Sequence, residues 1–216
     1  MAETGWSLPG SAASVVRPGA SAFTWINAER ATNATANTYS EIETDIGISN
    51  YLEVTNFGFS IPSNMQVVGI GVRIRKAATV AAPEWVRDSE VRLVISNEMI
   101  GDNKATSTNW PRAPHLANDN AAAITETYGG EGDLWSLASA PNVSDNSFGV
   151  RISLDATVSK SFACVYSIWM NIYYEETGNF YEKVGGVWRK GQMHERVSGV
   201  YRPGKLYERI GGIWRS

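Results

Sequence analysis

Four stretches of this 216-residue chain carry an apolar residue at every second position. Val68, Ile70, Val72 and Ile74 interleave with Gly69, Gly71, Arg73 and Arg75. Val91, Leu93 and Ile95 form a second run, and Phe148, Val150, Ile152 and Leu154 a third, set between Gly149, Arg151, Ser153 and Asp155. The longest run carries Phe162, Cys164, Tyr166, Ile168, Met170, Ile172 and Tyr174, which period two places on one face. Successive side chains of a strand point to opposite faces, so each run reads as a strand with one face in a core. No window shows the i, i+3, i+4, i+7 stripe of an amphipathic helix. Strong strands spaced by Gly, Pro and Asn loops predict an all-β chain, with a jelly-roll-like β-sandwich as its body.

The rest of the chain divides around those runs. Residues 1–22 read as an N-terminal arm that crosses a surface or fits against a neighbouring chain. Residues 1–50 as a whole are rich in Ala, Ser, Thr, Asn and Gly, with Trp6, Phe23, Trp25 and Ile26 as isolated anchors. The body is expected over 23–176. Within it, 97–146 reads as a long loop region around Trp110, Tyr128 and Trp135. A loop region that long is usually functional or covered by another subunit. The three aromatics either pin the insertion onto the sandwich or offer a stacking platform to a ligand.

Residues 177–216 form a tail with an internal repeat. Tyr181-Glu-Lys-Val-Gly-Gly-Val-Trp-Arg189 recurs as His194-Glu-Arg-Val-Ser-Gly-Val-Tyr-Arg202 and as Tyr207-Glu-Arg-Ile-Gly-Gly-Ile-Trp-Arg215, with a period of 13 residues. Gly-Gly or Ser-Gly at the centre suits the positive φ angles of a two-residue hairpin turn, so three short β-hairpins are expected. That register sets Val184 opposite Val187, Lys183 opposite Trp188, and Glu182 opposite Arg189. It pairs Glu195 with Arg202 and Glu208 with Arg215 in the same way, as repeat ion pairs. Cross-strand pairs are worth roughly 0.2–1 kcal/mol each, and a lone hairpin is marginal in water. The hairpins therefore need a partner surface: each other, the body, or the tails of other subunits. Trp188, Tyr201 and Trp214 are the packing faces of the repeat or, alternatively, contacts to a polyanion or glycan.

Charge follows the same division. The tail from 180 onward holds eight Lys/Arg and three Glu, a balance of +5, against −8 for 1–179 and −3 for the whole chain. A net negative chain argues against a generic nucleic-acid binder. One cysteine, Cys164, excludes an intramolecular disulfide framework and a Cys-rich zinc site, and on an apolar strand face it reads as a buried structural thiol. With only His115 and His194, a multi-histidine metal site within one chain is not expected. No apolar run approaches the roughly 18 residues of a membrane helix, and no leader pattern opens the chain. Nucleophile-elbow, P-loop, zincin and EF-hand patterns are all absent. Gly69-Ile-Gly71 lacks the third glycine of a dinucleotide fingerprint and lies inside an alternating run. Glu126, Glu131 and Asp133 around Gly129-Gly130, and Asn118-Asp119-Asn120, read as solvated loop groups, with calcium ligation as the alternative. No catalytic residue, metal or cofactor is expected.

An ordered series of segments carries a resemblance. Tyr51-Leu52 and Phe57-Gly-Phe59-Ser-Ile-Pro62 precede Val68-Gly-Ile-Gly-Val-Arg-Ile74. Arg87-Asp-Ser-Glu-Val-Arg-Leu93, Gly101-Asp-Asn-Lys-Ala105 and Trp110-Pro111 follow, then Tyr128-Gly-Gly130, Asp133-Leu-Trp135, Phe148-Gly-Val150 and Ile168-Trp-Met-Asn-Ile-Tyr-Tyr174. Over roughly 20–175 the body resembles a β-sandwich domain common in virion proteins of tailed bacteriophages. The tail looks like the short repeats that often end phage tail and fibre proteins. Ser136 stands where that pattern has Gly, and Ser167 where it often has Asp. The resemblance implies a non-enzymatic structural protein of the particle, assembled in the bacterial host cytoplasm. The leading expectation is a tail, collar or fibre accessory forming a homo-oligomer, preferably a trimer, and contacting other virion proteins. Capsid decoration or a head fibre is the alternative. A carbohydrate-binding module for a host surface glycan, using Trp110, Tyr128 and Trp135, is the further one.

Overall fold

The computed structural model describes residues 1–19, 23–35, 37–113 and 122–177, and beyond them the backbone of six strands. In the body the chain runs through β1 (Ala2–Glu3), β2 (Ser11–Val15), a 3-10 turn at Ala28–Thr32, β3 (Ser40–Glu43), β4 (Gly47–Ile48) and β5 (Tyr51–Thr55). It continues through β6 (Met65–Ala78), β7 (Val86–Ile95), β8 (Glu98–Ile100), β9 (Ile124–Gly130), β10 (Gly149–Ala156) and β11 (Phe162–Glu176). One sheet has the order β1-β11-β6-β9, with β3 also on β11. The other has the order β2-β5-β10-β7-β8, with β4 also on β10. Apart from β4 to β5 and β7 to β8, every successive strand crosses to the other layer. The body is thus an all-β sandwich in which sequence neighbours face each other across the core.

The core follows from the alternation. Ile70, Val72 and Ile74 of β6 meet Val91 and Leu93 of β7 and Val150, Ile152 and Leu154 of β10 in one apolar cluster. Burying an aliphatic side chain of this size contributes roughly 1.5–3 kcal/mol, so these facing rows dominate the stability of the layer pair. On β11 the single-face expectation is corrected. Ala163 and Val165 enter the main core, as do Ile168, Met170 and Ile172, so the inward parity shifts by one residue between Val165 and Ile168. Cys164 and Tyr166 point to the other side, into a small second cluster with Ala77 and Ala113.

One further expectation changes. The N-terminal segment is no detached arm: β1 pairs with Tyr173 and Tyr174 of β11, and β2 pairs along its whole length with β5. The backbone amides of Thr4 and Ser7 donate to Ile172 and Met170, tying the intervening chain to the same edge. The described part of 97–146 is mostly irregular, and it also contributes β8 and β9, which close one edge of each sheet.

The chain separates into two units, 1–175 and 176–216. The second consists of β12 (Phe180–Val184) with β13 (Val187–Gly191), β14 (His194–Val197) with β15 (Val200–Pro203), and β16 (Glu208–Ile210) with β17 (Ile213–Arg215). Each pair is antiparallel and in the expected register: Glu182 opposite Arg189, Glu195 opposite Arg202, and Glu208 opposite Arg215.

Candidate functional site

Within the sandwich the most unusual chemistry is a buried lysine between two carboxylates. Lys76 occupies the inward parity of β6, two residues beyond Ile74. Its side chain is 1% exposed and that of Asp88, from β7 in the opposite layer, 2%. Lys76 Nζ lies 2.6 Å from Asp88 Oδ1 and 2.8 Å from Oδ2. It also lies 2.7 Å from Oε2 of Glu126, whose side chain is 20% exposed and marks the open side of the site. Nζ donates a further short hydrogen bond to the Tyr128 hydroxyl.

Asp88 faces inward because of a bulge. Opposite β10, Ser153 pairs with Glu90 but Leu154 pairs with Asp88, so Ser89 is the extra residue on β7. The bulge shifts the inward parity from Val91 and Leu93 to Asp88 and Val86. The carboxylate then collects donors. Trp110 Nε1–H donates to Oδ1 at 2.9 Å, and the Tyr128 hydroxyl lies 2.7 Å from Oδ2. The same hydroxyl lies 2.9 Å from Glu126 Oε2, and Thr106 Oγ1 donates to Glu126 Oε1 at 2.9 Å. The Trp110 and Tyr128 rings both sit 5.2 Å from the ammonium, so cation–π attraction adds to the ion pairing.

Burial pushes the Glu126 carboxyl up, but the hydrogen bond and charge of Lys76, with help from Tyr128 and Thr106, outweigh it and hold the group below its ordinary range. Burial first, then the Asp88 and Glu126 carboxylates, push the Tyr128 phenol far above its ordinary range, so it stays protonated. With both acids ionised the cluster holds one positive and two negative charges. The single phenolic proton can serve only one of the two carboxylates that Tyr128 touches. The site is therefore a proton-sharing constellation: an amine, two carboxyl groups, a phenol bridging them, and an indole N–H fixed on one oxygen.

The aromatics expected to form a stacking platform are placed otherwise. Trp110, Tyr128 and Trp135 are 6%, 3% and 0% exposed and belong to the core, so none offers a ring face to a ligand from solvent. That part of the glycan expectation is corrected in favour of packing. Trp110 and Tyr128 come together at Lys76, while Trp135 lies apart, donating its indole N–H to the Ile70 carbonyl at 2.9 Å. Gly129 makes room for it: a Cβ there would sit 2.5 Å from Trp135 Nε1. Asp133 holds Trp135 from the backbone side, accepting its N–H at 2.7 Å, and pairs with Lys104 at 2.9 Å. Of the acids weighed for calcium, Glu126 and Asp133 thus have lysine partners. Among the described residues no group of three or more His, Cys, Asp or Glu could hold a metal ion. Asn118-Asp119-Asn120 and His115 lie outside the described residues. For Trp188, Tyr201, Trp214 and the six repeat charges only backbone pairing is described, so their ion pairs and ring contacts also lie outside it.

The residues that sequence reasoning missed are Lys76, Asp88 and Thr106. Lys76 was open to discovery, since a lysine at the next inward position of an apolar alternation must be buried or end the strand.

A second feature lies on the outer face of the first sheet. Trp6, Arg73, Thr125 and Trp169 line a cavity of about 210 Å³, with the Arg73 guanidinium 3.9 Å over the Trp6 ring. No family model matches the chain, and no curated protein matches it in sequence.

Proposed function

We propose that this chain is a non-enzymatic structural protein on the exterior of a tailed-phage virion, a tail, collar or fibre component assembled as a homo-oligomer, preferably a trimer. The observation that carries the reading is the tail of three 13-residue hairpins, each a two-stranded sheet of its own. An isolated two-stranded hairpin is marginal in water, so a chain that repeats one three times needs a partner surface to hold it. Symmetric assembly supplies such a surface at no cost in new sequence. The resemblance of the body segments and of the repeats to phage virion proteins supports the same reading.

Immunogold electron microscopy of the parent particles, with an antibody against residues 180–216, tests it. Gold at the neck, tail or tip supports a tail accessory. Gold over the head makes the chain a decoration or head-fibre protein. Particles that lack the protein in their mass spectrum overturn the virion reading.

The glycan alternative now rests on different residues. The cavity between Trp6 and Trp169 combines partly exposed indoles with a guanidinium and a hydroxyl, groups that suit a sugar ring bearing a carboxylate. Retention of the protein on acidic host polysaccharide, lost in Trp169→Ala with the fold intact, would favour it.

A further inference from the structure

We propose that Lys76 and Asp88 condense to an intramolecular isopeptide bond that covalently staples the two layers of the sandwich. Both reacting groups are buried in the interior, with Nζ nearly equidistant from the two carboxyl oxygens at 2.6 Å and 2.8 Å. Neighbours occupy the positions the reaction needs. Glu126 Oε2, 2.7 Å from Nζ, is the base that takes a proton from the ammonium and frees its lone pair. Trp110 Nε1–H, 2.9 Å from Oδ1, is a fixed donor for the oxyanion that forms when nitrogen adds to Cγ. The Tyr128 hydroxyl touches Glu126 Oε2 and Asp88 Oδ2, at 2.9 Å and 2.7 Å, and relays the proton to the departing oxygen.

The step balances without an added reagent. The Nζ–Cγ bond forms and the Cγ–Oδ2 bond breaks. Of the three ammonium protons, one remains as the amide N–H and two leave with Oδ2 as water. The positive charge of Lys76 and the negative charge of Asp88 cancel, and nothing is oxidised or reduced. The surroundings favour the product, because holding an ion pair out of water carries a desolvation penalty that a neutral amide removes. Glu126 lies on the partly exposed side, where the water can leave. The bond would join β6 to β7 across the core, closing a covalent ring around residues 76–88. For a particle exposed to shear and proteases, such a staple resists unfolding in a way that non-covalent packing does not.

The test is the intact mass of the full chain under denaturing conditions, followed by tryptic mapping. The expected result is a chain one water lighter than its sequence mass. Cleavage after Arg87 opens the ring and restores one water, so the map should show 76–87 still joined to 88–92, with no free 88–92 peptide and no cleavage after Lys76. A full sequence mass, or a water loss that maps elsewhere, overturns the proposal. Glu126→Gln keeps the size of the side chain but removes the base, and should give a folded chain at full mass that trypsin cuts after Lys76. A Glu126→Gln chain that is still cross-linked overturns the role given to Glu126. Lys76→Arg, which keeps the charge but cannot form the amide, fixes the mass and digestion pattern of the uncross-linked chain.

Discussion

The Nζ of Lys76 lies 2.6 Å and 2.8 Å from the carboxyl oxygens of Asp88, although the two residues belong to opposite layers of the sandwich. Removing one partner leaves the other buried without its counter-charge, which costs about 3–5 kcal/mol beside the loss of the proposed cross-link. Lys76→Met is expected to lower the urea midpoint accordingly, leaving Asp88 only the neutral donors Trp110, Tyr128 and Thr106. The double variant Lys76→Met/Asp88→Leu should recover part of that loss, since an apolar pair of similar volume replaces both charges. Additive losses in the double-mutant cycle would show that the two residues are not coupled.

This relationship was half legible in the sequence. The alternation of Val68 to Ile74 continues to Lys76 without a break, so its inward position follows from period two alone. Asp88 does not follow. Extending Val91, Leu93 and Ile95 backwards puts Ser89 and Arg87 inside, and only the bulge at Ser89 turns Asp88 into the core. The same limit explains β11, where the parity shift after Val165 sends Cys164 and Tyr166 to the second cluster. Local alternation reads facing and cannot see a one-residue slip, because a slip is set by the partner strand. The strand pairing of the hairpins was legible because a two-residue turn fixes the register of both arms. The N-terminal strands were not, since Ser11–Val15 is built mostly of Ser and Ala, without an apolar alternation, and becomes a strand only through its pairing with β5.

The Asp133–Lys104 pair should set part of the acid and alkaline edges of stability. Burial raises Asp133, but the hydrogen bond and charge of Lys104 and the Trp135 N–H outweigh it and hold the group below its ordinary value. The unfolded chain then binds more protons than the native one. The contribution is present above the ordinary aspartate value of about 3.9 and is lost as pH falls through the lowered one. Lys104, raised chiefly by its hydrogen bond to Asp133, contributes below the ordinary lysine value of about 10.4 and loses that stability as pH rises through the raised one. Thermal midpoints across both windows should fall less steeply in Asp133→Asn than in the parent chain. Parallel curves for the two proteins would count against the pair.

Cys164 should be chemically silent in the native state. Burial pushes its thiol up to about 12, and its S–H lies against the Ala77 carbonyl in the second cluster. A thiol that is both protonated and covered offers no thiolate to an electrophile. Iodoacetamide at pH 8 is expected to leave the folded chain unmodified and to alkylate it fully in denaturant. Fast native labelling would mean that β11 opens locally at this position.

Cutting the chain after Thr177 leaves the first unit whole and removes all but two residues of the second. The body has its own core, and both of its sheets are completed by strands within 1–176. The truncated protein should therefore keep the parent's near-ultraviolet signature and a single cooperative transition at a similar temperature. If the hairpins are the assembly element, the same truncation should be monomeric by light scattering while the full chain is not. An insoluble truncation would place the hairpins in the body's core, and an oligomeric one would move the assembly surface to the sandwich. The three glutamate–arginine rungs refine the test. Reversing one rung, Glu182→Arg with Arg189→Glu, preserves the cross-strand pair and should leave assembly unchanged if the rung acts only within its hairpin. Loss of assembly in that charge-swapped variant would assign the rung to contacts between subunits.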